Sequence, residues 1–284
     1  MKTIIILGAG QFGRTARLLL NTSQLKLLAY GDNNSALWDT VLDGIPVCSV
    51  EQAAAMSPDL MLIGVTDRKR TGALRRQALQ AGFQGDFLLL GDLYTYFDIR
   101  SATLLRLADR ILQKQIPGAA AELGVYKGEL AWKLNALFPD RPLYLFDTFE
   151  GFDARDIAAE TSAGYSRAAK GDFSDTSAEA VLARLPHPEQ AVIRKGFFPE
   201  TASGLSDVHY AFVSLDADLY APILAGLEYF YPRLNPGGVI LLHDYNNGRF
   251  RGARQAVEDY EAAHQNLPLV PLCDLHGTAV ILRP

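Results

Sequence analysis

Twice along this chain a short apolar strand runs into a glycine turn, then a helix, then a second strand that ends on aspartate. The first instance is GAGQFG (8–13), preceded by IIIL and followed by KLLAYGD, which ends on Asp32. The second is AELGVYKGE (121–129), followed by PLYLFD, which ends on Asp147. A strand that leaves a tight glycine turn directly into a helix returns through a crossover to a parallel neighbour, so each instance founds a parallel sheet covered by helices. Two such starts in 284 residues, against a prior of about 100–200 residues per domain, imply two α/β domains.

Hydrophobic periodicity fills in both halves. Residues 1–98 alternate TIIILG (3–8), a helix at 14–23, KLLAYGD (26–32), DLMLIGV (59–65), a basic helix at 68–82 and DFLLLGD (86–92). The stripe Leu104, Leu105, Leu107, Ala108, Ile111 and Leu112 predicts a helix over 100–115 that stops at Pro117-Gly118, which places the junction between domains 1–98 and 99–284. Strands at 119–124, 142–147, 191–196, 210–216 and 237–244 then alternate with helices at 126–138, 177–185, 220–234 and 250–264. The last two strands, 268–274 and 277–283, stand too close together for a crossover and must form an antiparallel hairpin at the end of a parallel sheet. Seven strands with such an ending resemble the class I methyltransferase fold. The polar stretch from about Gly151 to Thr176 is expected to be a long loop covering an active site.

Composition narrows the class of function. With 49% hydrophobic and 21% charged residues the chain is ordinary globular protein, not disordered or fibrous. A net charge of −5 leaves no basic footprint for nucleic acid or anionic lipid, so a small-molecule substrate is expected. Cys48 and Cys273 lie far apart and in no CxxC, which excludes a disulfide framework and a cysteine zinc site. The opening apolar run is too short for a signal peptide or a membrane span, and the expected location is the cytoplasm. The motifs GxxxxGK[ST] and GxSxG are both missing, which disfavours phosphoryl transfer by a P-loop and serine hydrolysis.

In GAGQFG, Gly8, Gly10 and Gly13 would let backbone approach a pyrophosphate at a helix N-terminus while Asp32 bonds ribose hydroxyls, the dinucleotide fingerprint. The same glycines can serve only to pack the first helix on its sheet. No Tyr-x-x-x-Lys pair or hydride-transfer domain accompanies them. Residues 1–98, with GAG, DNN after the second strand and GIPV (44–47), resemble the small Rossmann-like domains attached to sugar-modifying enzymes such as sugar acyltransferases. That resemblance implies a nucleotide, NAD(P) or nucleotide-sugar site, or a scaffold.

In the second motif Glu122 ends a strand, Gly124 makes the turn, Gly128 opens the helix and Asp147 ends the next strand. Together these match what S-adenosylmethionine needs: close backbone approach and an acid for the ribose. From about 100 to 284 the chain resembles the macrocin O-methyltransferase (TylF) family through AELGVYKGE, LYLFDTFEGF (143–152), GDFSDTS (171–177), VIRKGFFPET (192–201), VSLDADLYAP (213–222) and YPRLNPGGVILLHDY (231–245). The resemblance implies an S-adenosylmethionine-dependent O-methyltransferase that modifies a sugar or other natural-product hydroxyl, assisted by a divalent metal, usually magnesium, and working as a homodimer. It also implies that Glu122, Gly124 and Gly128 line the amino-acid end of the cofactor, Asp147 the ribose, and Asp172 and Phe173 the adenine. Asp216 matches the family's first metal carboxylate.

One departure stands out. Where the family usually carries two adjacent acids this chain has His243-Asp244. Magnesium prefers oxygen ligands, whereas imidazole suits softer metals, so His243 is open to three roles: ligand of a softer metal, base, or a sign of reduced metal dependence. Asp216 and His243 are the catalytic candidates, Asp216, His243 and Asp244 the metal candidates, with His276 a further choice and Lys195 a weaker one. Arg68, Lys69, Arg70, Arg75 and Arg76 read as a solvated helix face. The competing functions are a catalytically silent cofactor-binding protein, a scaffold, and an NAD(P)-linked oxidoreductase using GAGQFG.

Overall fold

A computed structural model describes every residue from Met1 to Pro284, and the chain divides into two compact units. One comprises Met1–Ile99 with Cys273–Leu275; the other comprises Arg100–Leu272 with His276–Pro284. No helix is long and apolar enough to cross a membrane.

The first unit runs β1 (Lys2–Leu7), α1 (Gln11–Leu18), β2 (Leu25–Gly31), β3 (Val41–Leu42), β4 (Ile45–Cys48), α2 (Val50–Ala55), β5 (Leu60–Ile63), α3 (Arg68–Gln80), β6 (Asp86–Leu89) and α4 (Leu90–Tyr96). Its sheet has the order β3-β4-β2-β1-β5-β6, parallel except for the β3-β4 hairpin. Because helices cover both faces, central β1 reads as an apolar run rather than an alternation. Ile5 and Leu7 pack with Met61, Ile63 and α2, while Ile4 and Ile6 pack with Ala9 and Ala16 of the first crossover. Helix α1 starts earlier and ends sooner than periodicity predicts: Leu18 and Leu19 lie exposed at its end. The β3-β4 hairpin turns on Asp43-Gly44, both with positive φ, a pairing that matches the twist of the flanking strands.

The second unit runs α5 (Ile99–Gln113, entering at Arg100), β7 (Ala119–Leu123), α6 (Glu129–Leu137), β8 (Leu143–Asp147), α7 (Ala154–Ser162), α8 (Ala178–Leu182), β9 (Ala191–Lys195), β10 (Tyr210–Leu215), α9 (Tyr220–Phe230), β11 (Leu234–Leu242), α10 (Gly252–Ala263), β12 (Leu269–Pro271) and β13 (Ala279–Leu282). The seven strands take the order β12-β13-β11-β10-β7-β8-β9, and β13 is antiparallel to both β11 and β12, as the spacing of the last two strands requires. From β7 the chain builds outward through β8 and β9, then returns to place β10 on the other side of β7. This reversal opens a crevice at the C-terminal ends of β7 and β10, where open α/β sheets bind ligands.

One expectation is corrected. The stretch from Gly151 to Thr176 is not a structureless loop, since it contains α7. Asp153 caps that helix by accepting from the Arg155 N–H. Asp156 and Glu160, one turn apart, are its buried residues, and Glu160 Oε2 accepts from the Tyr220 N–H at the start of α9. Acids dock this helix where apolar residues ordinarily would, so a search for apolar periodicity passes over it.

Candidate active site

Three strand ends meet at the crevice. The β7 turn passes so close to the end of β10 that a Cβ on Gly124 would fall 2.0 Å from the Asp216 carbonyl oxygen, and Gly124 has φ +86°. The Asp216 N–H donates to the Leu123 carbonyl and the His243 N–H to the Leu215 carbonyl, each at 2.9 Å, which lines up β7, β10 and β11. Asp216, His243 and Asp244 thereby converge, and one ligand atom from each lies within 4.8 Å of the others.

Within this group His243 stands between two carboxylates. His243 Nδ1 is 2.8 Å from Asp216 Oδ1 and 3.2 Å from Asp244 Oδ2. Yet this buried nitrogen makes no hydrogen bond of acceptable direction with either carboxylate. Asn247 Nδ2 donates to Asp244 Oδ1 and orients that carboxylate. The His276 ring lies 5.5 Å from the His243 ring.

Two groups that the sequence motifs do not mark complete the cluster. Arg100, in the first turn of α5, donates through Nη2 to Asp216 Oδ2 at 2.9 Å. Asp218, two residues beyond Asp216 and with φ +58°, shares a hydrogen bond with Asp244. The D-x-D spacing of VSLDADLY offered a signal for Asp218; Arg100 offered none, because it sits on a helix otherwise read as packing.

These charges shift one another. Burial works against ionised Asp216, but Arg100 and His243 together hold its carboxyl well below the usual carboxylate range. Burial also opposes a charged His243, and the Asp216 carboxylate overrides it to push the imidazole up to about 10. Asp218 moves the other way: burial, Asp216 and Asp244 all raise its affinity for a proton. Glu122, almost fully buried on β7, is raised well above the carboxylate range by burial and by Asp216, and its Oε2 has no hydrogen-bond partner. Carboxyl groups with opposed proton affinities in one crevice mark a site for proton transfer or cation binding.

Of the residues expected to hold the cofactor, Asp147 is tied to the glycine loop. Its Oδ2 accepts from the N–H groups of Val125 at 2.7 Å and Tyr126 at 2.9 Å, and its Oδ1 from Phe149 at 2.6 Å. Gly128 opens α6 with φ +74°, where a Cβ would press on Val181. Phe173 packs edge-on to Tyr126 and Phe152, beside a small cluster of Ala168, Leu219 and Phe250. Asp172 accepts from the Ala169 N–H. Lys195 is exposed and pairs with Glu150, and the five basic residues of α3 are exposed. In the first unit, Asp32 accepts from Ala9 N–H through one oxygen and Asn34 N–H through the other. Gly13 there leaves no room for a Cβ, which would fall 1.9 Å from the Gly8 carbonyl oxygen.

The reversal of strand order beside a glycine turn, the acid at the end of β8 and the antiparallel last pair define the second unit as a class I methyltransferase domain. Two solved structures share this fold, the O-methyltransferase NovP (TM-score 0.54, 20% identity, 65% of this chain and 79% of that one) and the calicheamicin methyltransferase CalS11 (0.52, 22%, 68% and 83%). Sequence comparison is more specific: the macrocin-O-methyltransferase (TylF) family model matches residues 97–283. The chain belongs to that family and is an S-adenosylmethionine-dependent O-methyltransferase. Its relatives include 8-demethyl-8-(2,3-dimethoxy-alpha-L-rhamnosyl)-tetracenomycin-C 4'-O-methyltransferase of Streptomyces olivaceus, 27% identical over 62% of this chain and 69% of the relative. Another is mycinamicin III 3''-O-methyltransferase of Micromonospora griseorubida, 25% identical over 58% and 68%.

Proposed function

We propose that the second unit transfers the methyl group of S-adenosylmethionine to a sugar hydroxyl of a small natural product or sugar nucleotide, with a divalent cation held by Asp216, His243 and Asp244. The observation that carries the cation is the buried His243 Nδ1, close to two carboxylates but in line with neither. Such an arrangement suits three donors facing a common centre better than a hydrogen-bonded pair. A bound divalent cation would polarise the acceptor hydroxyl and ease its deprotonation. The names of both relatives support a sugar hydroxyl as acceptor.

The chain's own residues account for the rest of the chemistry. Methyl transfer is an in-line displacement from sulfur to oxygen, so positioning dominates. Asp147 fixes the glycine loop through the Val125 and Tyr126 N–H groups, accepts from Phe149 in its own turn, and retains lone pairs that can meet the ribose. Phe152, Phe173 and Phe250 form an apolar wall suited to an adenine face. Asp218, hydrogen-bonded to Asp244 beside the cluster, is placed to take the hydroxyl proton.

In the first unit the packing reading of GAGQFG is the better supported. Gly13 is required by contact with Gly8, where a Cβ would fall 1.9 Å from the carbonyl oxygen, so packing alone accounts for this glycine. Calorimetric titrations with S-adenosylhomocysteine and with NADH test the assignment. Binding of the first alone is expected; failure to bind it overturns the placement of the cofactor in the second unit, and binding of NADH overturns the packing reading.

A further inference from the structure

Two buried polar atoms of opposite character stand close together in the crevice, and neither has a partner. Arg100 belongs to no motif, yet its guanidinium is mostly buried: Nη2 lies 2.9 Å from Asp216 Oδ2 and 3.5 Å from Ser214 Oγ, while Nε is unpaired. Ser214 of β10 is in register with Glu122 of β7, one strand spacing away, about 4.8 Å. Glu122 is 2% exposed, and its Oε2 is unpaired as well. The Glu122 charge acts on Arg100, but Nε and Oε2 do not satisfy each other.

A buried donor or acceptor left unpaired costs the solvation it has lost. Asp216 does not remove that cost, because it takes Nη2 alone, and a guanidinium carries further N–H groups in its planar fork. Nε–H is therefore left for a second acceptor. A ligand that meets both orphaned atoms must bring an acceptor for Arg100 and a donor for Glu122 close together. A simple cation would meet Glu122 and leave Nε bare, and a simple anion would do the reverse. An α-amino acid meets both, since its carboxylate and ammonium stand on one carbon. Glu122 lies two residues before the Gly124 turn, where the amino-acid end of the cofactor belongs.

We propose that Arg100 is a further cofactor-binding residue: its guanidinium takes the α-carboxylate of S-adenosylmethionine while Glu122 takes the ammonium beside it. This rests on the placement of the cofactor in the second unit given above. It gives Arg100 a role in positioning the cofactor and no contact with the transferred methyl group.

The test is calorimetric titration of the full chain with S-adenosylhomocysteine and with its decarboxylated analogue, which lacks only the carboxylate. The native protein, Arg100→Met and Arg100→Lys are compared, with circular dichroism as the check on folding. The native protein is expected to bind the analogue about ten-fold or more weakly than S-adenosylhomocysteine, the loss of a hydrogen bond to a charged group. Arg100→Met is expected to weaken S-adenosylhomocysteine by about ten-fold or more and to leave the analogue within about two-fold. Arg100→Lys keeps a charge without the planar fork and should show a smaller loss, again confined to S-adenosylhomocysteine; it serves as the reporter if the Met variant does not fold. A merely structural arginine would weaken both ligands equally. That result, an unchanged preference in the folded variants, or equal affinity of the native protein for the two ligands overturns the role of Arg100 while leaving the cofactor's placement standing. Failure of the native protein to bind S-adenosylhomocysteine overturns both.

Discussion

The two glycine turns of this chain look alike in sequence and do different work. In the first unit the turn closes on its own strand and on the end of β5. Gly13 presses on Gly8, Gly64 approaches Gly13, and Asp32 straps the loop by accepting from Ala9 N–H. In the second unit the turn is closed upon a different strand: Gly124 presses on Asp216, the residue that begins the charged cluster. The strap is again an acid, Asp147. A glycine pattern reports that backbone must approach something closely, but not what it approaches. Here one turn approaches its own strand and the apolar end of β5, and the other approaches the carboxylate-bearing end of β10.

That contrast can be broken at several points. Asp216→Asn keeps the shape and removes the charge that Arg100 and His243 require; a loss of about a hundred-fold or more in methyl transfer is expected, measured as radiolabel transferred from S-adenosylmethionine. Full activity in this variant would show that the cluster is only structural. Gly124→Ala and Gly13→Ala form a matched pair, since each puts a Cβ at about 2 Å from a carbonyl oxygen. Both should lose about 1–3 kcal/mol by chemical denaturation, but only Gly124→Ala should also weaken S-adenosylhomocysteine binding. Equal effects of the two on that binding would erase the distinction between the turns.

Smaller effects separate the straps. Asp147→Asn weakens the hold on the Val125, Tyr126 and Phe149 N–H groups and is expected to lower S-adenosylhomocysteine affinity about ten-fold, whereas Asp32→Asn should leave that affinity within about two-fold; titration calorimetry of the two variants decides. The smallest effect is on α7. Burial raises Asp156 from its ordinary value to about 6, so only below that pH is the helix docked with this acid protonated. A folded value above the unfolded one contributes stability at low pH that is lost as pH rises through about 6. Amide exchange in α7 should therefore quicken between pH 5 and pH 7, roughly the span of that titration, and Asp156→Asn should flatten the change. An exchange rate in α7 that follows only the intrinsic pH dependence would remove this role.

Much of the architecture was legible because parallel strands covered on both faces leave plain apolar runs, as in Ile4–Leu7 and Tyr210–Leu215. The terminal hairpin was legible because too few residues separate its strands for any other connection. The helix α7 was hidden, since Asp156 and Glu160 face inward and carry no apolar periodicity. The β3-β4 hairpin is short enough that only its Asp43-Gly44 turn announces it. Within the candidate site, Asp216, His243 and Asp244 stand at strand ends in recognisable blocks. Arg100 comes from far away in sequence and makes its ion pair across 116 positions.

By itself, then, the order of residues determined two parallel sheets, the antiparallel hairpin that ends the second and the family of the second unit, because these follow from local periodicity, turn chemistry and contiguous motifs. Only the tertiary structure decided which glycine turn faces a charged crevice, that Asp218 and Arg100 join it, and which acids hold α7 down. Those outcomes depend on electrostatic contact between distant segments, and the energy of such a contact varies with separation and burial in space, neither of which is written along the chain.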